Sequence, residues 1–458
     1  MSTKVDHPQA AEIFNQLEER VNWHDAALWY VRQKRDHAAS QVKGWEELRS
    51  LAAAIKAHTL SKLDEYLVQF EEAAIRNGAH VHWAIDADAH NQIVFDILRA
   101  NKARMVVKSK SMLTEECGLN HFLEDKGIEV IDTDLGERIV QLANEPPSHI
   151  VMPAIHKRRE EIDELFHEHL RTKLSGGDAV YLAREARKHL REKFLTADAA
   201  LTGVNFGVAA TGGIVVCTNE GNADMGVHST PLHIACMGLE KVIPRDEHLG
   251  VFLRLLARSA TGQPITSYTS YYKSPKPGNE MHIVIVDNGR SNQLRRSDFR
   301  KSLYCIRCGA CMNTCPVYRR SGGHSYGYTI PGPIGSILSP GLDLEKYGSL
   351  PFASTLCGSC SDVCPVKIDI HSQLYKWRQI ITEKNQQPAF KKMLIFITGF
   401  IFSHPQVYQI ASNAFGAMVR FTPRFLINTL LITWTKHREF PQPGEYTFSQ
   451  WRRMNRQK

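Results

Sequence analysis

The sequence predicts an α/β fold: a parallel-sheet domain, then a helical module built on two cysteine loops, then a helical C-terminal region. Three observations predict it. Short β-rich runs alternate with helical stretches from about residue 78. Seven of the ten cysteines fall into two short runs between residues 305 and 364. Beyond residue 386 the apolar stretches are short and broken by prolines.

Residues 1–75 read as helices, because Leu48, Leu51, Ala52, Ile55 and then Leu60, Leu63, Leu67, Phe70 recur at three- and four-residue steps with charges between them. Residues 76–294 form the α/β domain. Its first strands are expected at His80–Trp83, Arg104–Val107, Glu129–Ile131 and His149–Met152. A charged helical region, Arg158–Phe194, follows, and further strands are expected at Gly212–Val216, His233–Ala235 and His282–Val286. The cysteine module occupies residues 295–385, its halves joined by the Gly/Pro-rich connector Ser321–Pro340. Residues 386–458 read as helices and a polar tail, with breaks at Pro388, Pro405, Pro423 and Pro441.

The cysteine runs carry the chemistry. They are Cys305-x2-Cys308-x2-Cys311-x3-Cys315-Pro316 and Cys357-x2-Cys360-x3-Cys364-Pro365. Three thiolates two residues apart wrap one corner of an iron–sulfur cubane, and the cysteine beyond the next turn reaches the neighbouring cluster. A structural zinc takes four ligands, usually from two separated CxxC pairs, and a disulfide framework belongs to small secreted chains. Two clusters are therefore expected, in a ferredoxin-like module. Crossed ligation gives Cys305, Cys308, Cys311 and Cys364 to the first. Cys315, Cys357 and Cys360 go to the second, which is one ligand short. Ser354 stands where its fourth cysteine would be. The second cluster is then a 4Fe-4S cluster with Ser354, water or a partner residue on the fourth iron, or a 3Fe-4S cluster. Cys117, Cys217 and Cys236 lack mutual spacing and read as buried apolar residues.

The rest of the chain excludes more than it assigns. Its 458 residues are 43% hydrophobic and 23% charged, with a net charge of +8, ordinary values that call for no nucleic-acid partner. No GxGxxG or GxxxxGK[ST] motif supports a dinucleotide or P-loop site. Two loops suit a small anion, Lys108-Ser109-Lys110-Ser111 and Asn219-Glu220-Gly221-Asn222, although caps and turns use the same residue types. His80 and His82 alternate on a strand and read as structural, with no metal site outside the cysteine runs. No apolar run reaches transmembrane length, the nearest being Leu394–Phe402. The N-terminus carries no secretory pattern, which places the chain in the cytoplasm.

Several long motifs resemble the lactate utilization protein B family: VVKSKSMLTEECGLN before His121, DTDLGERIVQLANEPPSHIVMPAIHK at 132–157, TNEGNADM at 218–225, VDNGRS at 286–291 and CIRCGACMNTCPVYRRSGGHSYG at 305–327. The resemblance implies a lactate-utilization-type N-terminal domain, related in fold to sugar-phosphate isomerases and CoA-transferases, followed by a two-cluster 4Fe-4S module. It also implies a cytosolic complex with the A and C proteins of the same pathway that oxidises L-lactate to pyruvate, with this chain as electron carrier. The chain departs from some relatives at Ser354 and at Ala210, where they carry cysteine and glutamate.

Alternative functions are an iron–sulfur subunit of another 2-hydroxy-acid dehydrogenase complex, a stand-alone enzyme with its active site in the N-terminal domain, and a scaffold or redox sensor. Three roles suit the C-terminal region: packing on the chain's own cluster module, docking a partner, or peripheral contact with anionic lipid through the basic end Trp451–Lys458. The expectation is docking.

Overall fold

The computed structural model describes residues 4–384, 389–430, 440–441 and 444–455. They fall into two compact units, divided between Gln379 and Ile380.

The first unit opens with four helices, α1 (His7–Asn15), α2 (Glu18–Ser40), α3 (Trp45–Ser61) and α4 (Leu63–Arg76). Asp6 caps α1 by accepting a hydrogen bond from Gln9 N at 3.2 Å. The α/β core follows as a six-stranded, wholly parallel sheet. Its strands are β1 (His80–Ala84), β2 (Met105–Lys108), β3 (Glu129–Asp132), β4 (Ala199–Gly203), β7 (Leu232–Gly238) and β10 (Glu280–Val286), in the order β1-β10-β7-β4-β2-β3. The central strands explain the topology. β7 is buried throughout and β10 everywhere except Glu280, which two-sided helical cover requires of continuous apolar runs such as IVIV. Ile283, Val284, Ile285 and Val286 are fully buried, each contributing about 1.5–3 kcal/mol.

A second sheet joins β5 (Phe206–Val208), β6 (Gly213–Thr218), β8 (Val242–Ile243) and β9 (Tyr268–Tyr272) in the order β8-β5-β6-β9. The turn between β5 and β6 demands glycine: Gly212 has φ +65°, and a Cβ there would lie 2.1 Å from Ala74 N.

The parallel sheet agrees with the expected βαβ pattern, with one correction. His149–Met152 is a loop. His149 is fully buried, and its Nδ1 accepts hydrogen bonds from Val151 N at 3.0 Å and Met152 N at 3.1 Å. That side-chain turn, hemmed by Pro146, Pro147 and Pro153, takes the N–H groups a ladder would need. The charged helical region divides into Arg159–Leu170 and Ala179–Thr196, and the left-handed pair Gly176-Gly177 lies between them.

In the second unit, helices Ala389–Ser403 and Pro405–Phe421 bury none of their residues, and Phe396, Phe402, Ile410 and Phe421 are exposed. Arg424–Leu430 and Phe448–Asn455 are also helical. No described helix is long and apolar enough to cross a membrane. Pro388, expected as a break, and the last three residues of the basic end Trp451–Lys458 lie outside the described residues.

Candidate functional site

The two cysteine loops share one backbone. Arg307 (φ 59°) and Gly309 (φ 75°) flank Cys308 in the left-handed region, and Leu356 (φ 54°) and Gly358 (φ 82°) flank Cys357 in the same way. Each pair curls the chain tightly around the cysteine between them. Short helices follow, Ala310–Thr314 and Ser359–Asp362. The match extends to side chains: Arg307 N donates to Cys305 Sγ at 3.4 Å, and Leu356 N donates to Ser354 Oγ at 3.1 Å. Ser354 thus occupies the second loop's counterpart of the Cys305 position.

All seven thiols are free of disulfides. Electrostatics sorts them into two groups. Cys308 feels Cys364 and Cys305, and Cys311 feels Cys305, Cys308, Cys360 and Cys364. Cys315 feels Cys357, and Cys360 feels Cys315 and Cys357. The Cys311–Cys360 interaction links the groups. Burial pushes up the thiols of Cys308, Cys311 and Cys315, that of Cys360 to about 12 and that of Cys364 to about 11. Cys357 is exposed, and its thiol is lowered by the Thr355 hydroxyl.

This donor set fits iron–sulfur clusters. Thiols crowded into an apolar pocket become thiolates only beside a strongly cationic centre. Further backbone N–H groups already point at sulfur, Tyr318 N at Cys315 (3.5 Å) and Ile368 N at Cys364 (3.4 Å). Among the described residues, no three or more His, Cys, Asp or Glu side chains converge to hold a single metal ion, whereas a cubane is gripped at its corners.

The N-terminal helices hold the second loop from outside. From α3, Arg49 Nε and Nη2 donate to the Cys364 carbonyl at 3.0 and 2.8 Å, and from α2, Arg35 Nη2 donates to the Val363 carbonyl at 3.0 Å. The first loop rests on the α/β domain. His149 Nε2 meets Asn313 Oδ1 at 3.0 Å, and Tyr318 Oη donates to the Ser148 carbonyl at 2.6 Å.

Where the first loop meets the domain there is a cavity of about 490 Å³. Both anion loops expected from the sequence open onto it, through Lys110 and Ser111 and through Asn219, Glu220 and Asn222; so do Arg307 and Cys308. Lys110 is held by Asp134 at 3.2 Å and by the Val151 carbonyl at 2.9 Å. Burial and the Asp134 charge lift the Glu220 carboxyl to about 7, although it accepts a hydrogen bond from Leu135 N at 3.0 Å. Arg290 grips Glu116 at 2.9 Å and Glu240 at 2.7 Å. Although Glu240 is buried, Arg290, Lys241 and Arg307 hold its carboxyl at about 2.

Other residues singled out in the sequence have structural partners. Lys108 is fully buried, in ion pairs with Asp132 at 2.8 Å and with Glu115. His82 Nε2 meets His282 Nδ1 at 3.0 Å, and His80 stacks on the same ring at 4.8 Å. Cys117 and Cys236 are buried; Cys217 is half-buried and lines the cavity with Cys236. Ala210 is exposed at the β5–β6 turn. Sequence reasoning missed Lys241, Glu240, Arg290 and Arg307. The only signal for them was the proximity of Arg307 to Cys308.

The chain matches the LUD domain over residues 67–291, the 4Fe-4S dicluster domain over 301–368, and the lactate utilisation protein B C-terminal family over 376–457. Lactate utilization protein B of Bacillus thuringiensis (strain Al Hakam) is 44% identical over 425 residues, covering 90% of this chain and 89% of the relative. The Bacillus cytotoxicus protein of that name is 44% identical over 427 residues, with the same coverage. A crystal structure of a DUF162 family protein from Deinococcus radiodurans aligns with 49% of this chain and 98% of its own, at 13% identity and a TM-score of 0.28.

Proposed function

The chain belongs to the lactate utilization protein B family, and on that premise we propose that it is the iron–sulfur electron-transfer subunit of a cytosolic complex, formed with the A and C proteins, that oxidises L-lactate to pyruvate. The observation that carries this reading is the shared backbone of the two cysteine loops, in which Cys305 Sγ and Ser354 Oγ receive the same hydrogen bond and all seven thiols are free of disulfides. In this reading, Cys305, Cys308, Cys311 and Cys364 ligate one 4Fe-4S cluster. Cys315, Cys357 and Cys360 ligate a second, with Ser354 Oγ at the remaining corner. That corner is supported by the hydrogen bond from Leu356 N, the counterpart of the one Cys305 Sγ receives.

Bound clusters supply one-electron transfer. The chain's own residues do the rest. Backbone N–H groups of Arg307, Tyr318 and Ile368 direct positive dipole onto ligand sulfur and stabilise the reduced state. Burial keeps water from the first loop. The exposure of Cys357 leaves the second loop as the side from which a partner takes or gives electrons.

Two measurements test the proposal. Anaerobic purification should yield a brown protein with about eight irons and matching sulfide per chain; zinc, or one cluster's worth of iron, would overturn the ligand assignment. Mixing with the A and C proteins and L-lactate should bleach the cluster absorbance. Loaded clusters that stay oxidised in that mixture would overturn the assignment to lactate oxidation.

A further inference from the structure

The cavity beneath the first loop is lined by one cation that its neighbours leave without a direct partner. Four cations and four carboxylates line it: Lys110, Lys241, Arg290 and Arg307 against Glu116, Asp134, Glu220 and Glu240. Three of the cations are matched, Lys110 by Asp134 at 3.2 Å, Arg290 by Glu116 and Glu240, and Arg307 by Glu240 at 3.7 Å. Lys241 is not. Its half-buried side chain lines the cavity, but its ammonium makes no hydrogen bond or ion pair with any described residue. The opposing charges it feels are those of Glu240, already shared by two arginines, and of Cys305. An ammonium that lines a cavity without a hydrogen-bond partner gains a charge-assisted hydrogen bond when an anion enters beside it.

A second donor faces the same space. Asn205 Oδ1 accepts from Cys217 N at 2.9 Å, which fixes the amide and leaves its Nδ2 without a hydrogen-bond partner among the described residues. Ile139, Ile150, Val151, Met152 and Leu256 also line the cavity. A volume of about 490 Å³ far exceeds what a two- or three-carbon acid fills and lies in the range of ordinary ligand pockets.

We propose that this cavity is a binding site for an organic monocarboxylate with an apolar body, its carboxylate held by Lys241 and the Asn205 amide and its body lying among those apolar side chains. One ammonium and one amide N–H group match the two oxygens of a single carboxylate. The site goes beyond the electron-transfer reading and does not depend on it.

The test uses the full chain with butanoate and octanoate as probes. Calorimetry should show octanoate binding more tightly than butanoate, since each added methylene buries apolar surface worth about 0.8 kcal/mol, roughly fourfold in affinity. Binding of neither acid, or no gain with chain length, overturns the proposal. Lys241→Gln should weaken octanoate binding about tenfold or more. An unchanged affinity in a folded variant overturns the assignment. Should that variant fail to fold, acylation of the unaltered chain by acetic anhydride, mapped by mass spectrometry, decides. Octanoate should protect Lys241 and leave exposed Lys102 unprotected, and equal acylation of Lys241 with and without octanoate overturns the site. None of these readouts needs iron, so failure of the cluster reading would show only in metal content.

Discussion

The loops 305–311 and 354–360 have the same left-handed residues, the same following helix and the same hydrogen bond to their first ligand position, yet they sit in opposite surroundings. The first is packed against the α/β domain, with Cys308, Cys311 and Met312 buried; in the second, Cys357 is exposed. The lesson is that backbone torsions fix where ligands point, whereas burial and one atom, sulfur or oxygen at the first position, set what the loop does with an electron. Solvent and hydrogen bonding shift cluster potentials over hundreds of millivolts. Two loops of one shape therefore suit two different steps of a relay.

The strongest way to break this comparison is to delete one ligand from each side. Cys311→Ala should cost the first cluster and, because Cys311 also faces Cys360, disturb the second, so iron should fall to about four per chain or below. Cys357→Ala should cost the exposed cluster alone. Iron analysis and EPR of the reduced proteins check both; equal spectra for the two variants would erase the distinction. Next in size is Arg49→Met, which strips the Cys364 carbonyl of two charged donors and should destabilise the chain by about 2–4 kcal/mol in urea denaturation. A smaller effect is expected from Ser354→Cys. Thiolate is a softer ligand for iron than serine oxygen, so iron loss in air should slow several-fold. Identical loss rates and EPR spectra would place Ser354 away from the cluster.

The smallest effect concerns pH and the support of the first loop. Burial, partly opposed by the bond to Asn313, depresses His149 from 6.5 to about 3. Below about 6.5 the unfolded chain takes up a proton that the native chain refuses until about 3, so the His149 contribution should lower stability steadily as pH falls through that window. His149→Asn should flatten the slope of the urea midpoint between pH 7 and 5. An unchanged slope would mean that His149 is protonated in the native state.

Much of this was legible in the sequence, for identifiable reasons. Cysteine spacing is a local signal set by the few residues of a ligand loop, and the continuous apolar run of β10 has no other stable home. By contrast, β4 (AALTG) carries little β propensity and is a strand only because β2 and β7 flank it. His149–Met152 has strand-like residues, but a histidine side chain took up the backbone donors. The cavity was half visible. Its two anion loops lie next to strands, where such sites are expected, whereas Lys241 stands out only once its neighbours are seen to pair with one another. Nothing local in α2 and α3 announced that they would grip a loop near residue 364.

That grip has a consequence for how the protein is made. Arg49 and the Cys364 carbonyl it holds are 315 residues apart in sequence. At about 5–20 residues per second, a ribosome delivers Arg49 roughly 15 to 60 seconds before its target. Near the end of that interval, between the synthesis of Cys311 and that of Cys364, three of the four cysteines assigned to the first cluster exist and the fourth is missing. Iron offered too early would meet an incomplete set, so cluster loading falls to the finished chain, and the closing of α3 over Cys364 marks the moment at which it can begin.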